Sequence, residues 1–162
     1  VGAFADCRRG LESVPGMRAA LEETVRTNGR PFLGICVGMQ MLATRGLEHG
    51  ESDGLDWVPG EVRAIEPNDP ALKIPHMGWN TLNIVKPNEL FDGIAESTYV
   101  YFVHSLYPVP ENQDIICTKT EYGRTFTSAV ASKNIYGTQF HPEKSGDMGI
   151  QILKNFAKAV IK

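Results

Sequence analysis

The chain has 162 residues, of which 42% are hydrophobic and 22% charged, a composition that is ordinary for one globular domain. Its formal net charge is −3 at pH 7, which argues against nucleic-acid binding because that function requires a basic excess. No apolar run approaches the roughly 20 residues of a membrane-spanning helix, so no such helix is predicted.

The first half of the chain shows the pattern of an α/β protein. Residues 14–28 favour a helix, because apolar side chains recur at helical spacing and a glycine follows the end. The apolar run over residues 31–35 is typical of a buried strand, and residues 38–45 favour a second helix.

The second half of the chain is dominated by strand signals. Alternating apolar and polar residues, or β-branched and aromatic runs, predict strands at 61–65, 81–85, 99–103, 115–120, 125–131 and 135–140. A helix is predicted over residues 147–161. Its apolar face is formed by Ile150, Leu153, Phe156, Ala157 and Val160. This order predicts an α/β fold, an open and mostly parallel sheet flanked by helices, with an antiparallel β excursion.

The cysteines indicate a reducing environment. Cys7, Cys36 and Cys117 are odd in number, widely spaced and form no CxxC pair, so neither a disulfide framework nor a structural zinc site is expected. The first residues also lack the basic and apolar segments of a signal peptide. A cytoplasmic location is the simplest interpretation.

A nucleophile elbow is the most informative pattern. A predicted strand, the sequence Gly34-Ile35-Cys36-Val37-Gly38 and a predicted helix follow one another, as in the elbow of hydrolases. The two glycines are expected to let the chain bend and its neighbours pack without Cβ clashes. The helix N-terminus favours a Cys36 thiolate, and the amide of Val37 is expected to face a developing oxyanion. The alternative is an inert, buried cysteine.

His141 is the candidate base for this nucleophile. It follows a predicted strand, and the ends of parallel strands meet at one sheet edge, so it can approach Cys36. Pro142 favours an extended path that places His141 and Glu143 on one side of the chain. Glu143 would then set the tautomer of the imidazole. A capped histidine and a carboxylate at a helix start remain the alternatives.

Two motifs together resemble the signature of the class I, triad-type glutamine amidotransferases. They are GICVGMQ at 34–40 and QFHPE at 139–143. Four further stretches resemble one branch, the glutaminase subunits of imidazole glycerol phosphate synthase. They are VGAF at 1–4, PHMGWN at 75–80, YFVHSLY at 101–107 and GTQFHPEKSGDMGIQILKNF at 137–156.

The resemblance implies a function and a partner. It implies hydrolysis of glutamine to glutamate and ammonia through a thioester on Cys36, with His141 as base and acid and Glu143 as its orienting residue. The ammonia would pass to a cyclase subunit, the second member of a heterodimer in histidine biosynthesis. No metal or organic cofactor is implied.

The resemblance also assigns residues around the triad. The oxyanion would be bound by the backbones of Val37, Val1 and Gly2. The glutamine pocket would be lined by Gly34, Gln40, His104 and Ser105. The face toward the cyclase would include Met77, Trp79, Asn80 and Lys144.

The family normally has a strand and a helix before the VGAF loop. We therefore expect residues 1–162 to be a single amidotransferase domain without its N-terminal βα segment of about 30 residues or more. Three other functions stay open at this stage. They are a class I glutaminase of another synthase, a cysteine hydrolase or peptidase on a related scaffold, and a fragment that only binds a partner.

Overall fold

A computed structural model describes residues 3–161, in which short helices and strands alternate along the chain. The α-helices are α1 (Phe4–Glu12), α2 (Met17–Leu21), α3 (Val37–Gln40) and α4 (Gly146–Ile161), and α2 continues as a π-helical turn over Glu22–Thr27. The strands are β1 (Phe32–Ile35), β2 (Arg45–Gly46), β3 (Ser52–Asp53), β4 (Gly60–Ala64), β5 (His76–Thr81), β6 (Asn83–Ile84), β7 (Tyr99–His104), β8 (Leu106–Pro110), β9 (Ile116–Glu121), β10 (Thr125–Ser132) and β11 (Ile135–Thr138).

The main sheet has the strand order β1-β11-β10-β9-β6. Strands β1 and β11 are parallel, with Ile35 opposite Thr138, whereas β10, β9 and β6 continue the sheet in antiparallel pairs. A second sheet has the order β3-β2-β4-β8, and β5 pairs with β7. The predicted α/β class is confirmed, and the antiparallel excursion is larger than the sequence indicated.

All four residues of β11 are buried. Because successive side chains of a strand point to opposite sides of the sheet, β11 is covered on both faces. Tyr136 belongs to a core cluster that includes Ile152 of α4. Its neighbour Ile135 belongs to a second cluster that includes Val25 of the π-helical turn. Helical segments therefore cover both faces of the sheet around β11.

The predicted helix over residues 38–45 is wrong beyond α3. The carbonyls of Met41, Leu42 and Ala43 accept hydrogen bonds from backbone amides of the segment 55–58, so they are not free to continue a helix. The structure also contains α1, which the sequence patterns did not predict, and the helix predicted from residue 14 begins at Met17. The predicted strands are found within one or two residues, except that 81–85 is interrupted at Leu82.

The predicted apolar face of α4 is only partly correct: Phe156 packs against Tyr136 of the core, but Ile150, Ala157 and Val160 are exposed. The buried residues of α4 are Gly149, Ile152 and Asn155, whereas Ile150 is 46% and Val160 47% exposed. Asn155 faces the core because its side-chain amide donates to the carbonyls of Leu90 and Asp92. Polar and glycine positions therefore decide how this helix is oriented, and apolar periodicity alone could not show it.

Two isoleucines of α4 test this orientation. Ile152→Ala should lower the free energy of unfolding by about 2–5 kcal/mol, because it removes apolar atoms from a closed core. Ile150→Ala should cost less than about 1 kcal/mol, since nearly half of that side chain is already in water. Urea unfolding of both variants measures the difference, and equal losses would restore the orientation that the sequence predicted.

Candidate active site

Cys36 lies at a sharp turn between β1 and α3. Its backbone has φ 53° and ψ −113°, a left-handed conformation that costs a non-glycine residue about 1–3 kcal/mol. The amide of Cys36 donates to the carbonyl of Thr138 at 2.8 Å, which extends the parallel pairing of β1 and β11 into the turn. The predicted elbow geometry is therefore present.

The two glycines of the elbow have different roles. A Cβ on Gly34 would lie 2.5 Å from the carbonyl oxygen of Gly38, so the strand and the helix approach too closely there for any side chain. A Cβ on Gly38 would meet nothing within 4 Å. The expected packing role is thus confirmed for Gly34 and wrong for Gly38.

The Cys36 sulfur is nearly buried and rests as a thiol. It donates to the carbonyl of Val103 at 3.8 Å and accepts from Nε2 of Gln139 at 3.6 Å. Burial raises the pKa of Cys36, and the backbone amide of Val37 only partly opposes this. Desolvation therefore opposes the expected effect of the helix N-terminus on the thiolate, because α3 has only four residues and the sulfur is buried.

His141 and Glu143 form the predicted pair. Nδ1 of His141 donates to Oε1 of Glu143 at 2.6 Å, which leaves Nε2 as the unprotonated nitrogen of the neutral ring. Nε2 is buried and has no hydrogen-bond partner within residues 3–161. The imidazole is thus held in the tautomer that a general base requires.

The loop that carries His141 is fixed to the neighbouring strand β7. The amide of His141 donates to the carbonyl of Tyr101 at 2.9 Å. The hydroxyl of Ser145 donates to the carbonyl of His141 at 2.6 Å and accepts from the amide of Tyr101 at 2.9 Å. Ser145, which the sequence did not single out, therefore holds the base in position.

The parallel pairing brings the three triad residues to one edge. Cys36 follows β1 directly and His141 comes three residues after β11, and the charge of Glu143 contributes to the raised pKa of Cys36. No hydrogen bond joins the sulfur to Nε2 in the part of the chain described, because the thiol donates to Val103 instead. Such bonds commonly tighten only when substrate is bound.

A cavity of about 470 Å³ opens beside the elbow. Val103, the residue whose carbonyl binds the thiol, forms part of its wall. Of the four predicted pocket residues, Gln40, His104 and Ser105 line the cavity and Gly34 does not. The cavity is large enough for a small amino acid and has polar groups on its wall.

Glu48 is a cavity residue that the sequence analysis missed. Its carboxylate lines the cavity and Oε2 accepts from the amide of Phe4, the first residue of α1, at 2.8 Å. A single glutamate in a loop carries no local pattern, so only the fold could place it. It supplies negative charge to a wall that also carries the polar amide of Gln40.

His104, which lines the cavity, is joined to a second buried histidine, His76. Nδ1 of His104 is 2.7 Å from the carbonyl of Leu106, so it carries the hydrogen, and Nε2 accepts from Nδ1 of His76 at 2.9 Å. Nε2 of His76 then accepts from the side-chain amide of Asn80 at 3.2 Å. Burial lowers the pKa of His76 to about 4 and that of His104 to about 3, so both are neutral.

The predicted partner face is divided between exposed and inward residues. Met77 and Trp79 project from β5 with 61% and 56% of their surface exposed, and Lys144 is exposed as well. The amide of Asn80 instead turns inward, to His76 and to the carbonyl of Glu121. The two remaining oxyanion candidates, Val1 and Gly2, lie outside the described residues.

Comparison with known proteins places this geometry in a class. Residues 8–160 match the family model of class-I glutamine amidotransferases. The solved structure of a putative GMP synthase protein from Thermoplasma acidophilum superposes with a TM-score of 0.62 at 21% identity, over 93% of this chain and 67% of that one. A glutamine amidotransferase from Thermotoga maritima gives 0.58 at 19% identity, over 93% and 57%. These two likenesses support the fold.

Curated sequences are much more similar. Imidazole glycerol phosphate synthase subunit HisH of Rhodospirillum rubrum is 50% identical over 98% of this chain and 74% of its own length. Its counterpart in Caulobacter vibrioides is 48% identical over 96% and 73%. The chain therefore belongs to the class-I glutamine amidotransferase family and, within it, to the HisH subunits of imidazole glycerol phosphate synthase. Among residues 3–161, none of the helices has the length and apolarity to cross a membrane.

Substitution of Cys36 tests the strain at the elbow. Glycine adopts φ 53° freely and alanine does not. The free energy of unfolding of Cys36→Gly should therefore be about 1 kcal/mol higher than that of Cys36→Ala. Denaturant unfolding of the two variants measures this. The ordinary order, with alanine the more stable, would show that the backbone at residue 36 is not strained.

The buried histidines predict loss of stability in mild acid. Their pKa values in the folded chain lie below the ordinary 6.5, so the unfolded chain takes up protons first as the pH falls. Between pH 6.5 and 5 each histidine should lower the free energy of unfolding by up to about 2 kcal/mol. His76→Gln should make this dependence about half as steep. An equal slope in both proteins would mean that the pKa of His76 is the same in the folded and unfolded chains.

Proposed function

We propose that this chain is a glutaminase that hydrolyses glutamine through a thioester on Cys36 and delivers ammonia to a cyclase subunit in histidine biosynthesis. The observation that carries the proposal is the free, buried Nε2 of His141, held by Glu143 at the sheet edge where Cys36 lies. A cavity of about 470 Å³ beside the thiol provides the place for the substrate.

Glutamine suits the wall of this cavity. Its α-ammonium group would pair with the carboxylate of Glu48, the acidic side chain among the lining residues. Both amide hydrogens of Gln40 are already bonded, to Leu106 and Gln139, so Gln40 has its amide oxygen to offer to the substrate. A substrate held at these two points would present its carboxamide toward Cys36.

The first chemical step forms the thioester. The thiol proton moves to Nε2 of His141 as the sulfur attacks the carboxamide carbon, and the carbonyl electrons move to the oxygen. The amide of Val37, which lies beside the sulfur, stabilises that oxyanion, and one such donor is worth roughly 3 kcal/mol. The oxyanion then collapses, the C–N bond breaks, and Nε2 returns the proton to the departing ammonia.

The second step releases glutamate. Nε2 of His141 takes a proton from water as the water oxygen attacks the thioester carbon. Collapse of this second oxyanion breaks the C–S bond, and the proton returns from Nε2 to the Cys36 sulfur. Glu143 keeps its bond to Nδ1 throughout and stabilises the imidazolium that forms in both steps.

The cyclase would dock on the face that carries Met77 and Trp79. Both side chains are exposed apolar groups on β5, and Met77 also lines the substrate cavity, so docking there would lie next to the chemistry. Exposed aromatic and methionine residues are typical of binding surfaces.

The three cysteines, Cys7, Cys36 and Cys117, are free thiols, which agrees with the proposed cytoplasmic location.

Release of glutamate from glutamine, measured with and without the cyclase, tests the function. Cys36→Ala should lower kcat by at least about a thousandfold, because the nucleophile is removed. Cys117→Ala is the matched control: it removes another buried free thiol, far along the chain in β9, and should leave kcat nearly unchanged. Trp79→Ala should weaken the stimulation by the cyclase while leaving the basal release intact.

Two results would refute the proposal. Glutamate release that survives Cys36→Ala would remove the thioester mechanism. Absence of release in the wild-type chain under both conditions, in protein with a cooperative thermal transition, would remove the glutaminase itself.

A further inference from the structure

We propose that Gln139 is a catalytic residue whose side-chain amide donates a hydrogen bond to the Cys36 sulfur and stabilises the thiolate that attacks the substrate. The inference rests on the proposed function, because it concerns the same nucleophile. Five hydrogen bonds between described residues carry it, and the four that involve side chains are all buried.

The position of Gln139 is fixed by the sheet. It follows β11 directly, is fully buried, and its backbone amide donates to the carbonyl of Ser128 at 2.9 Å. Its Nε2 lies 3.6 Å from the Cys36 sulfur, an ordinary length for an N–H···S hydrogen bond. The side chain therefore reaches the reacting atom itself.

The orientation of this amide is determined by its neighbours. The carbonyl of Leu106 can only accept, and Nε2 of Gln40 donates to it at 3.0 Å. The same nitrogen donates its second hydrogen to Oε1 of Gln139 at 3.0 Å. The amide oxygen of Gln139 thus faces Gln40, and its NH₂ group faces the sulfur.

His104 shares the acceptor that Gln40 uses. Nδ1 of His104 also donates to the Leu106 carbonyl, so this oxygen accepts from two donors. The Leu106 carbonyl can only accept, so these contacts orient the side chains of His104 and Gln40 and do not transfer protons between them. Because Gln40 donates one hydrogen to this carbonyl, its second hydrogen goes to Oε1 of Gln139 and orients that amide.

A donor at this place favours the charged form of the nucleophile. A thiol sulfur is a weak acceptor and a thiolate a strong one, so the bond gains most of its strength on ionisation. Burial, the charge of Glu143 and the Cys7 thiol of α1 all raise the pKa of Cys36, and the Val37 amide lowers it. Of the two histidines nearby in the fold, burial lowers the pKa of His104 to about 3, so it is neutral, and His141 is the proposed proton acceptor.

The acidity of the thiol tests the proposal without turnover. The rate of carbamidomethylation of Cys36 by iodoacetamide is followed from pH 6 to 10 without glutamine, with mass spectrometry to separate Cys36 from Cys7 and Cys117. In Gln139→Met, of similar volume but without a donor, the pKa of Cys36 should rise by about one and the rate at pH 7 fall about tenfold. In the glutaminase assay, kcat should fall and KM stay within about twofold.

Two further variants keep the test decisive. Asn155→Leu removes another buried amide, one bonded to Leu90 and Asp92, and should lower the melting temperature without changing the pKa of Cys36. Gln139→Asn retains an amide and withdraws it from the sulfur by one methylene, so it should reproduce the effect of Gln139→Met if that variant does not fold.

The outcomes separate this inference from the proposed function. An unchanged pKa of Cys36 in a folded Gln139 variant would overturn the inference, whether or not glutamate is released. A raised pKa in a chain that releases no glutamate in any form would retain the hydrogen bond and overturn the proposed function instead.

Discussion

The parallel pairing of β1 with β11 is the constraint on which the rest of the site depends. These strands are about a hundred residues apart in sequence, yet Ile35 lies opposite Thr138 and the amide of Cys36 bonds to the Thr138 carbonyl. A shift of one residue would turn the side chains that follow to the other face. The register therefore decides that the thiol, the amide of Gln139 and the imidazole meet at one edge.

Close backbone approach is the second requirement, and two glycines permit it. Gly34 lets β1 pass beneath the carbonyl of Gly38, and Gly149 lets α4 pack against the carbonyl of Pro142, where a Cβ would lie 1.9 Å from the oxygen. The first contact packs β1 against the elbow at Cys36. The second packs α4 against the loop that carries His141 and Glu143. Packing around the elbow thus maintains the positive φ of Cys36, which is unfavourable by itself.

The sequence was most informative where a role depends on neighbours along the chain. Cys36, His141 and Glu143 could be found because the elbow and the His-Pro-Glu turn are local patterns. The roles of Gln139 and His76 could not be predicted, although both lie in the quoted motifs, and Glu48 was missed altogether, because each of the three acts through segments far away in sequence. The end of α3 was missed for the same reason: carbonyls that would continue the helix are bonded to residues 55–58. The face of α4 depends on Asn155 and its distant carbonyl partners.

The contact between the Cys36 thiol and the Val103 carbonyl has a consequence for an idle enzyme. Peroxide oxidises the thiolate rather than the thiol. Burial raises the pKa of Cys36 and the Val103 carbonyl accepts the thiol hydrogen, so both disfavour the form that is converted to sulfenic acid. Val103 pairs with Met77 across β7 and β5, which ties this protective contact to the exposed strand. We therefore expect the resting arrangement of Cys36 to slow oxidation of its sulfur between turnovers.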